Sequence, residues 1–128
     1  MRDTLECVTR YVEAFGTKDF SKVPFDANVT FQGPLLDHPL KGKEAVIEFL
    51  TQVTRPMTDL RVKQHIVQGE HACAVIQFRA RGMAIEACDY FRVSDNGITE
   101  IRVFLGTVPY LFPLLRTGLH LRRMFTRV

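Results

Sequence analysis

The stretch Met83-Ala84-Ile85-Glu86-Ala87-Cys88-Asp89-Tyr90-Phe91-Arg92-Val93-Ser94, with the turn Asp95-Asn96-Gly97 and the run Ile98 to Leu105, decides the fold. Side chains along a strand alternate between two faces. The odd positions Met83, Ile85, Ala87, Phe91 and Val93 are apolar, and Asp89 alone interrupts them. The even positions Ala84, Glu86, Cys88, Tyr90, Arg92 and Ser94 form a mixed face. This is the pattern of a strand with one side in a core. An ionised carboxylate buried there without a partner costs several kcal/mol, so it shifts its pKa upward or finds donors. Two readings of Asp89 follow: a core residue satisfied by backbone amides, or an acid at a functional site, where raised carboxyl pKa values gather.

The neighbouring strands set where Asp89 points. Ile98 to Leu105 places Thr99, Ile101, Val103 and Leu105 on its odd face. Two odd faces meet across a hairpin only if the loop has an odd number of residues. A three-residue Asp95-Asn96-Gly97 loop, with Gly97 left-handed, meets that demand and sets Asp89 opposite Val103. Upstream, His71 to Arg81 carries Ala72, Ala74, Ile76, Phe78 and Ala80 on its even face. An even face joins an odd one through an even loop, which Gly82-Met83 supplies. Asp89 is then expected opposite Ile76, on the concave, apolar side of an antiparallel sheet.

Working outward, Asp3-Thr4-Leu5-Glu6 resembles a capping box and opens a first helix. Its apolar stripe is Leu5, Val8, Tyr11, Val12 and Phe15, so Tyr11 faces inward. A second short helix is expected over Lys18 to Val23, ended by Pro24. Asn28 to Gly33 alternates as a strand, and Leu35 to Lys41 is a loop carrying Asp37-His38-Pro39. Lys43 to Val53 is a third helix with Val46, Phe49, Leu50 and Val53 inward, stopped before Pro56. Thr58 to Gln68 is a long strand with Leu60, Val62, Gln64 and Ile66 on its even face. Helices first and strands afterwards predict an α+β fold, with helices packed on one face of a curved antiparallel sheet. No repeat or composition break divides the chain, so residues 1–128 are expected to form a single domain.

Composition narrows the function classes. The 128 residues are 46% hydrophobic and carry a net charge of +3, enough for a real core. Tyr110 to Val128 holds four arginines and no acid, which leaves −1 for the rest. A body that neutral is no nucleic-acid platform. Three cysteines, Cys7, Cys73 and Cys88, suit reduced thiols and a cytoplasmic location. No apolar run reaches membrane-spanning length and Met1-Arg2-Asp3 has no signal-peptide character. His65 and His71 fall on outward faces by parity, His120 lies in the tail, and no pair has ligand spacing; no metal site is expected. Residues 107–128 read as a basic amphipathic C-terminal extension. Leu111, Leu114 or Leu115, Gly118, Leu121, Phe125 and Val128 recur at helical spacing, with Arg116, Arg123 and Arg127 largely outside that stripe. Such a helix packs on its own fold or lies peripherally on an anionic membrane.

Arg10-Tyr11-Val12-Glu13-Ala14-Phe15, Lys18-Asp19-Phe20, Pro39-Leu40-Lys41-Gly42, Cys88-Asp89-Tyr90-Phe91-Arg92-Val93 and Arg102-Val103-Phe104-Leu105-Gly106 together resemble the nuclear transport factor 2-like superfamily. Within it the chain is similar to ketosteroid isomerases and SnoaL-like polyketide cyclases, from about Thr4 to Gly106. The resemblance implies a cone-shaped α+β barrel with about three helices in the N-terminal half, plus the tail helix. It also implies an apolar pocket and chemistry that needs no cofactor. In ketosteroid isomerases a helix-one tyrosine and a strand aspartic acid, kept neutral by its apolar site, form the oxyanion hole. Tyr11 and Asp89 match those positions. The same likeness makes Phe15, Phe31, Phe49, Ile101, Val103 and Leu105 pocket residues. The strand reading adds Ile76 beside Asp89, and Gln64 as a polar residue able to hydrogen-bond a ligand.

The chain departs from the isomerases at their general base, an aspartate before a proline in the first strand. Here Gly33 precedes Pro34, and a glycine takes no proton. Asp37 and His38 are the nearest replacements, His38 having the right ordinary pKa for a base; the alternative is a solvated turn. Two function classes follow. One is a cofactor-independent acid/base enzyme of isomerase, cyclase, dehydratase or epoxide hydrolase type, acting on a hydrophobic oxygen-bearing small molecule. The other is a non-catalytic ligand-binding or protein-interaction module of the same fold. Val75, Cys88, Tyr90, Ile98 and Phe104, facing outward among charges, predict a homodimer through the sheet.

Overall fold

A computed structural model describes residues 3–106. Its elements are α1 (Thr4–Thr17), β1 (Phe25–Gln32), β2 (Leu40–Lys41), α2 (Lys43–Val53), β3 (Met57–Gln68), β4 (His71–Ala80), β5 (Met83–Ser94) and β6 (Gly97–Leu105). The six strands form one sheet in the order β2-β1-β6-β5-β4-β3. The sheet is mixed, because β1 runs parallel to β6 while every other pair is antiparallel. Its two ends, β2 and β3, do not pair with each other, so the sheet is open. Both points correct the expected antiparallel barrel.

Asp3 caps α1, its carboxylate accepting from the Leu5 and Glu6 amides at 3.0 and 3.4 Å. The helix buries Cys7, Val8, Tyr11, Val12, Ala14 and Phe15 against the sheet. Lys18 ends it in a left-handed conformation (φ 62°), its amide bonded to the Ala14 carbonyl at 2.8 Å. The helix expected over Lys18 to Val23 does not form. Asp19 instead accepts from the Ser21 amide at 3.0 Å and the Ser21 hydroxyl at 2.6 Å, folding the segment into a turn. Two helices, not three, therefore lie among the described residues, and the predicted tail helix falls outside them. Lys18 then bridges layers: its Nζ donates to the carbonyls of Thr54 (2.6 Å) and Met57 (2.7 Å), where α2 hands over to β3.

Both hairpins around β5 differ from their expected loops. Ala80 pairs with Met83, so the β4–β5 turn is Arg81-Gly82, with φ 51° and 80°. Two positive φ values mark the turn type whose twist matches the flanking strands. Asp89 consequently lies opposite Ala74 rather than Ile76. The slip is two residues, so every side chain keeps its face. On the other side Ser94 pairs with Gly97 across a two-residue loop, and an irregularity between Arg92 and Val93 restores the register. Asp89 sits opposite Val103, as the strand reading expected. That irregularity turns Ile98 into the core, where it is fully buried, rather than outward. Gly97 has φ 110°, and a Cβ there would collide with the Pro24 carbonyl oxygen, which accepts from the Ile98 amide at 2.8 Å.

Candidate active site

A cavity of about 440 Å³ opens between the helices and the concave side of the sheet. Its walls are almost entirely apolar: Phe15 from α1, Phe31 and Gly33-Pro34-Leu35 from the end of β1, Phe49 and Val53 from α2, and Ile76, Ala87, Val103 and Leu105 from the sheet. Among the described residues, three lining side chains can ionise: Tyr11, Asp89 and Arg81.

Tyr11 reaches the cavity because Cys7, Val8, Val12 and Phe15 turn that side of α1 to the sheet, whereas Leu5, expected in the same stripe, is exposed. Four phenylalanines grip its ring in edge-on contacts: Phe91 at 4.9 Å, Phe15 at 5.3 Å, Phe20 at 6.0 Å and Phe25 at 6.3 Å between centroids. Such geometry sets positively polarised ring edges against π faces and fixes the phenol's direction. Its hydroxyl is buried and has no hydrogen-bond partner among the described residues. Asp89 comes from the middle of β5, between Ala74 on β4 and Val103 on β6, and is 2% exposed. One of its carboxyl oxygens, Oδ1, is likewise buried and unpartnered. The two groups do not bond to each other.

Burial governs their protonation. Desolvation raises the Asp89 pKa from 3.8 to about 7, because the ionised form loses its hydration shell. Burial, and then the nearby Asp89 charge, holds the Tyr11 hydroxyl well above 10.0. Near neutrality the cavity thus contains a phenol that keeps its proton and a carboxyl poised between its two forms. Buried polar groups in folded proteins nearly always find partners; two orphans facing one apolar cavity are suited to meet an oxygen brought by a ligand.

The other sequence-predicted residues divide. Phe15, Phe31, Phe49, Ile76, Val103 and Leu105 line the cavity with Tyr11 and Asp89. Ile101 does not: it is fully buried in the core beneath it. Gln64 is exposed and outside the cavity. The pairing of β3 with β4 shifts between Val62 and Gln64, so Gln64 lies opposite the outward Val75 while His65 lies opposite the inward Ala74. That irregularity reverses the faces expected for Gln64, Ile66 and His65. Asp37 and His38 lie at the surface, 62% and 77% exposed, and pair with each other at 2.6 Å. Neither lines the cavity, so among the described residues no base stands in for the carboxylate that Gly33 lacks. Gly33 itself is part of the wall, and a Cβ there would meet Phe31 Cε1 at 3.3 Å. Among the lining residues the sequence does not single out for the site, such as Leu35, Met57, Phe78 and Ile85, Arg81 is the ionisable one; its expected place was inside a strand rather than at the turn.

A family model described as a domain of unknown function (DUF4904) matches residues 1–109. The chain belongs to that family. No curated protein matches this DUF4904 member. Among solved structures, an NTF2-like protein of unknown function from Cytophaga hutchinsonii superposes with a TM-score of 0.70 at 20% identity, covering 90% of this chain and 96% of that one. A steroid delta-isomerase from Pseudomonas aeruginosa superposes at 0.71 and 17% identity, covering 81% and 80%. A de novo designed protein with a curved β-sheet superposes at 0.72 and 18%, covering 89% and 92%. The fold is that of the nuclear transport factor 2-like superfamily. An isomerase and a designed protein share it, so it assigns no chemistry by itself.

Proposed function

We propose that this DUF4904 protein is a cofactor-independent acid/base enzyme acting on a hydrophobic, oxygen-bearing small molecule. The observation that carries the reading is the pair of buried, unpartnered oxygens, Tyr11 Oη and Asp89 Oδ1, facing one apolar cavity. A substrate carbonyl, epoxide or hydroxyl oxygen placed between them accepts a hydrogen bond from the phenol and another from the neutral carboxylic acid. Both bonds strengthen as negative charge develops on that oxygen, in a site where water does not screen it. A carboxyl with a pKa of about 7 is also matched to proton transfer at neutral pH. Asp89 can give its proton to a leaving or opening oxygen and recover one in a later step. Among the described residues, Gly33 and the exposed Asp37 and His38 leave no second base beside the cavity, which favours epoxide opening, dehydration or acid-assisted cyclisation over a two-base isomerisation.

Gly33 also supports a second reading, a ligand-binding module that keeps the donors and has no base. Two measurements separate them. 2-Naphthol, an aromatic oxygen acid whose spectrum reports its ionisation, should bind through Tyr11 and Asp89. Tyr11→Phe and Asp89→Leu should each weaken it, on the order of 10²-fold for the carboxyl. Turnover within a panel of apolar epoxides and β-hydroxy ketones, abolished in Asp89→Leu, establishes the enzyme. Undiminished naphthol binding in both variants refutes the donor pair altogether.

A further inference from the structure

The cavity has an asymmetry that the donor pair does not use. Tyr11 and Asp89 lie at its floor, whereas the remaining ionisable lining residue, Arg81, is exposed at the β4–β5 turn on its rim. From Asp89 back to Met83, which follows that turn, β5 runs about 20 Å at about 3.3 Å per residue. The sheet side chains between are apolar: Ala87, Ile85, Ile76, Phe78, Ala80 and Leu105. No ion pair engages Arg81 among the described residues.

The backbone there marks Arg81 independently. Its φ of 51° lies in the left-handed region, which favours Gly, Asn and Asp and strains a long side chain. Asn-Gly is the ordinary sequence for such a turn, and this chain has Arg-Gly. The neighbouring Arg79 braces the turn by donating to the Gly82 carbonyl at 3.2 Å, so the turn itself does not need a second arginine. An arginine stem can lie along an apolar rim with its guanidinium at the water boundary, a fork that fits a carboxylate.

We propose that the cavity takes an amphipathic acid, with an extended apolar skeleton, a carboxylate held by Arg81 at the mouth, and an oxygen function at the far end meeting Tyr11 and Asp89. This deepens the reading above by naming its ligand class, and the rim half stands even if the floor does no chemistry. Arg81 is then a specificity residue: a neutral analogue leaves the guanidinium in water and gains nothing from it.

Calorimetric titration of the full chain at pH 8 with dodecanoate, its omega-hydroxylated form and dodecanol tests both ends. Dodecanoate should bind tighter than dodecanol by a factor on the order of ten. Arg81→Asn installs the residue the turn prefers, so it should fold at least as stably while losing that preference; Arg81→Lys should keep most of it. Asp89→Leu should erase the advantage of the omega-hydroxylated acid over dodecanoate and leave the acid-over-alcohol ratio unchanged. Uptake of dodecanol equal to dodecanoate, a preference that survives in Arg81→Asn, or no uptake of any of the three overturns the proposal. An intact acid preference with no effect of Asp89→Leu removes the floor reading alone.

Discussion

A carboxyl held near neutrality by burial ties the stability of the fold to pH. Asp89 has a folded pKa of about 7 against 3.8, so between those values the native state holds a proton that the unfolded chain releases. Stability contributed by the group is complete below pH 4, falls as pH rises, and levels off above pH 7. The shift corresponds to a loss of about 4 kcal/mol across that window. Urea unfolding from pH 4 to pH 8 should show this decline, and Asp89→Asn should flatten it and be the more stable protein at pH 8. A wild-type curve without the decline would contradict the raised pKa. Tyr11→Phe, which removes an unpaired buried hydroxyl, should stabilise by about 1 kcal/mol. Asp89 was legible because one carboxylate broke an otherwise apolar alternation. Its lack of a partner was not, since partners come from three-dimensional distances that parity does not carry. Arg81 escaped for a related reason: its role depends on which two residues make the turn, and a slip of two leaves every face unchanged.

At the scale of elements, alternation survives wherever strands are regular and fails at each bulge. On β4 and β5 the inward residues were readable because their pairing runs unbroken from His71↔Arg92 to Ala80↔Met83. On β3 the shift near Lys63 reversed the face of everything downstream, and near Val93 a shift sent Ile98 inward. An extra residue in one strand leaves no mark in a hydrophobic pattern when both faces are already mixed. The parallel pairing of β1 with β6 was equally silent, because it joins segments at opposite ends of the chain. The turn glycine is a different matter: Gly97 was legible as left-handed, and the fold adds the Pro24 carbonyl pressed against it. Gly97→Ala must move that contact as well as strain its own φ. It should cost about 2–4 kcal/mol, whereas alanine at Gly69 strains only its own φ, with nothing within 4 Å of the added Cβ. Comparing the two variants' melting temperatures checks this, and equal losses would place the cost in φ alone.

For the whole molecule, the convex side of the sheet holds two rows of side chains that the strand register aligns. One runs Gln64, Val75, Cys88, Phe104 and the next Ile66, Cys73, Tyr90, Arg102 across β3, β4, β5 and β6. Ile66 and Phe104 are 53% and 51% exposed, and neither helix covers this face because both pack on the other. The strip is continuous, polar only at its corners, and includes Ile66, which the bulge in β3 brings to it. Large apolar patches on folded proteins mark interaction surfaces, and one such strip can meet its own copy across a two-fold axis. We propose that two copies pair through it as a homodimer, with Phe104 near the centre and Arg102, whose guanidinium lies 5.5 Å from the Phe104 ring centroid, beside it. The cavity opens on the opposite side of the sheet, so pairing leaves its mouth free. Light scattering at high micromolar concentration should return twice the chain mass. Phe104→Glu adds a charge to a side chain already half in water, so it should leave the fold intact, with little change in thermal stability beyond that of dissociation, and return the single-chain mass. A wild-type protein that scatters as one chain would leave the strip without a partner and end the proposal.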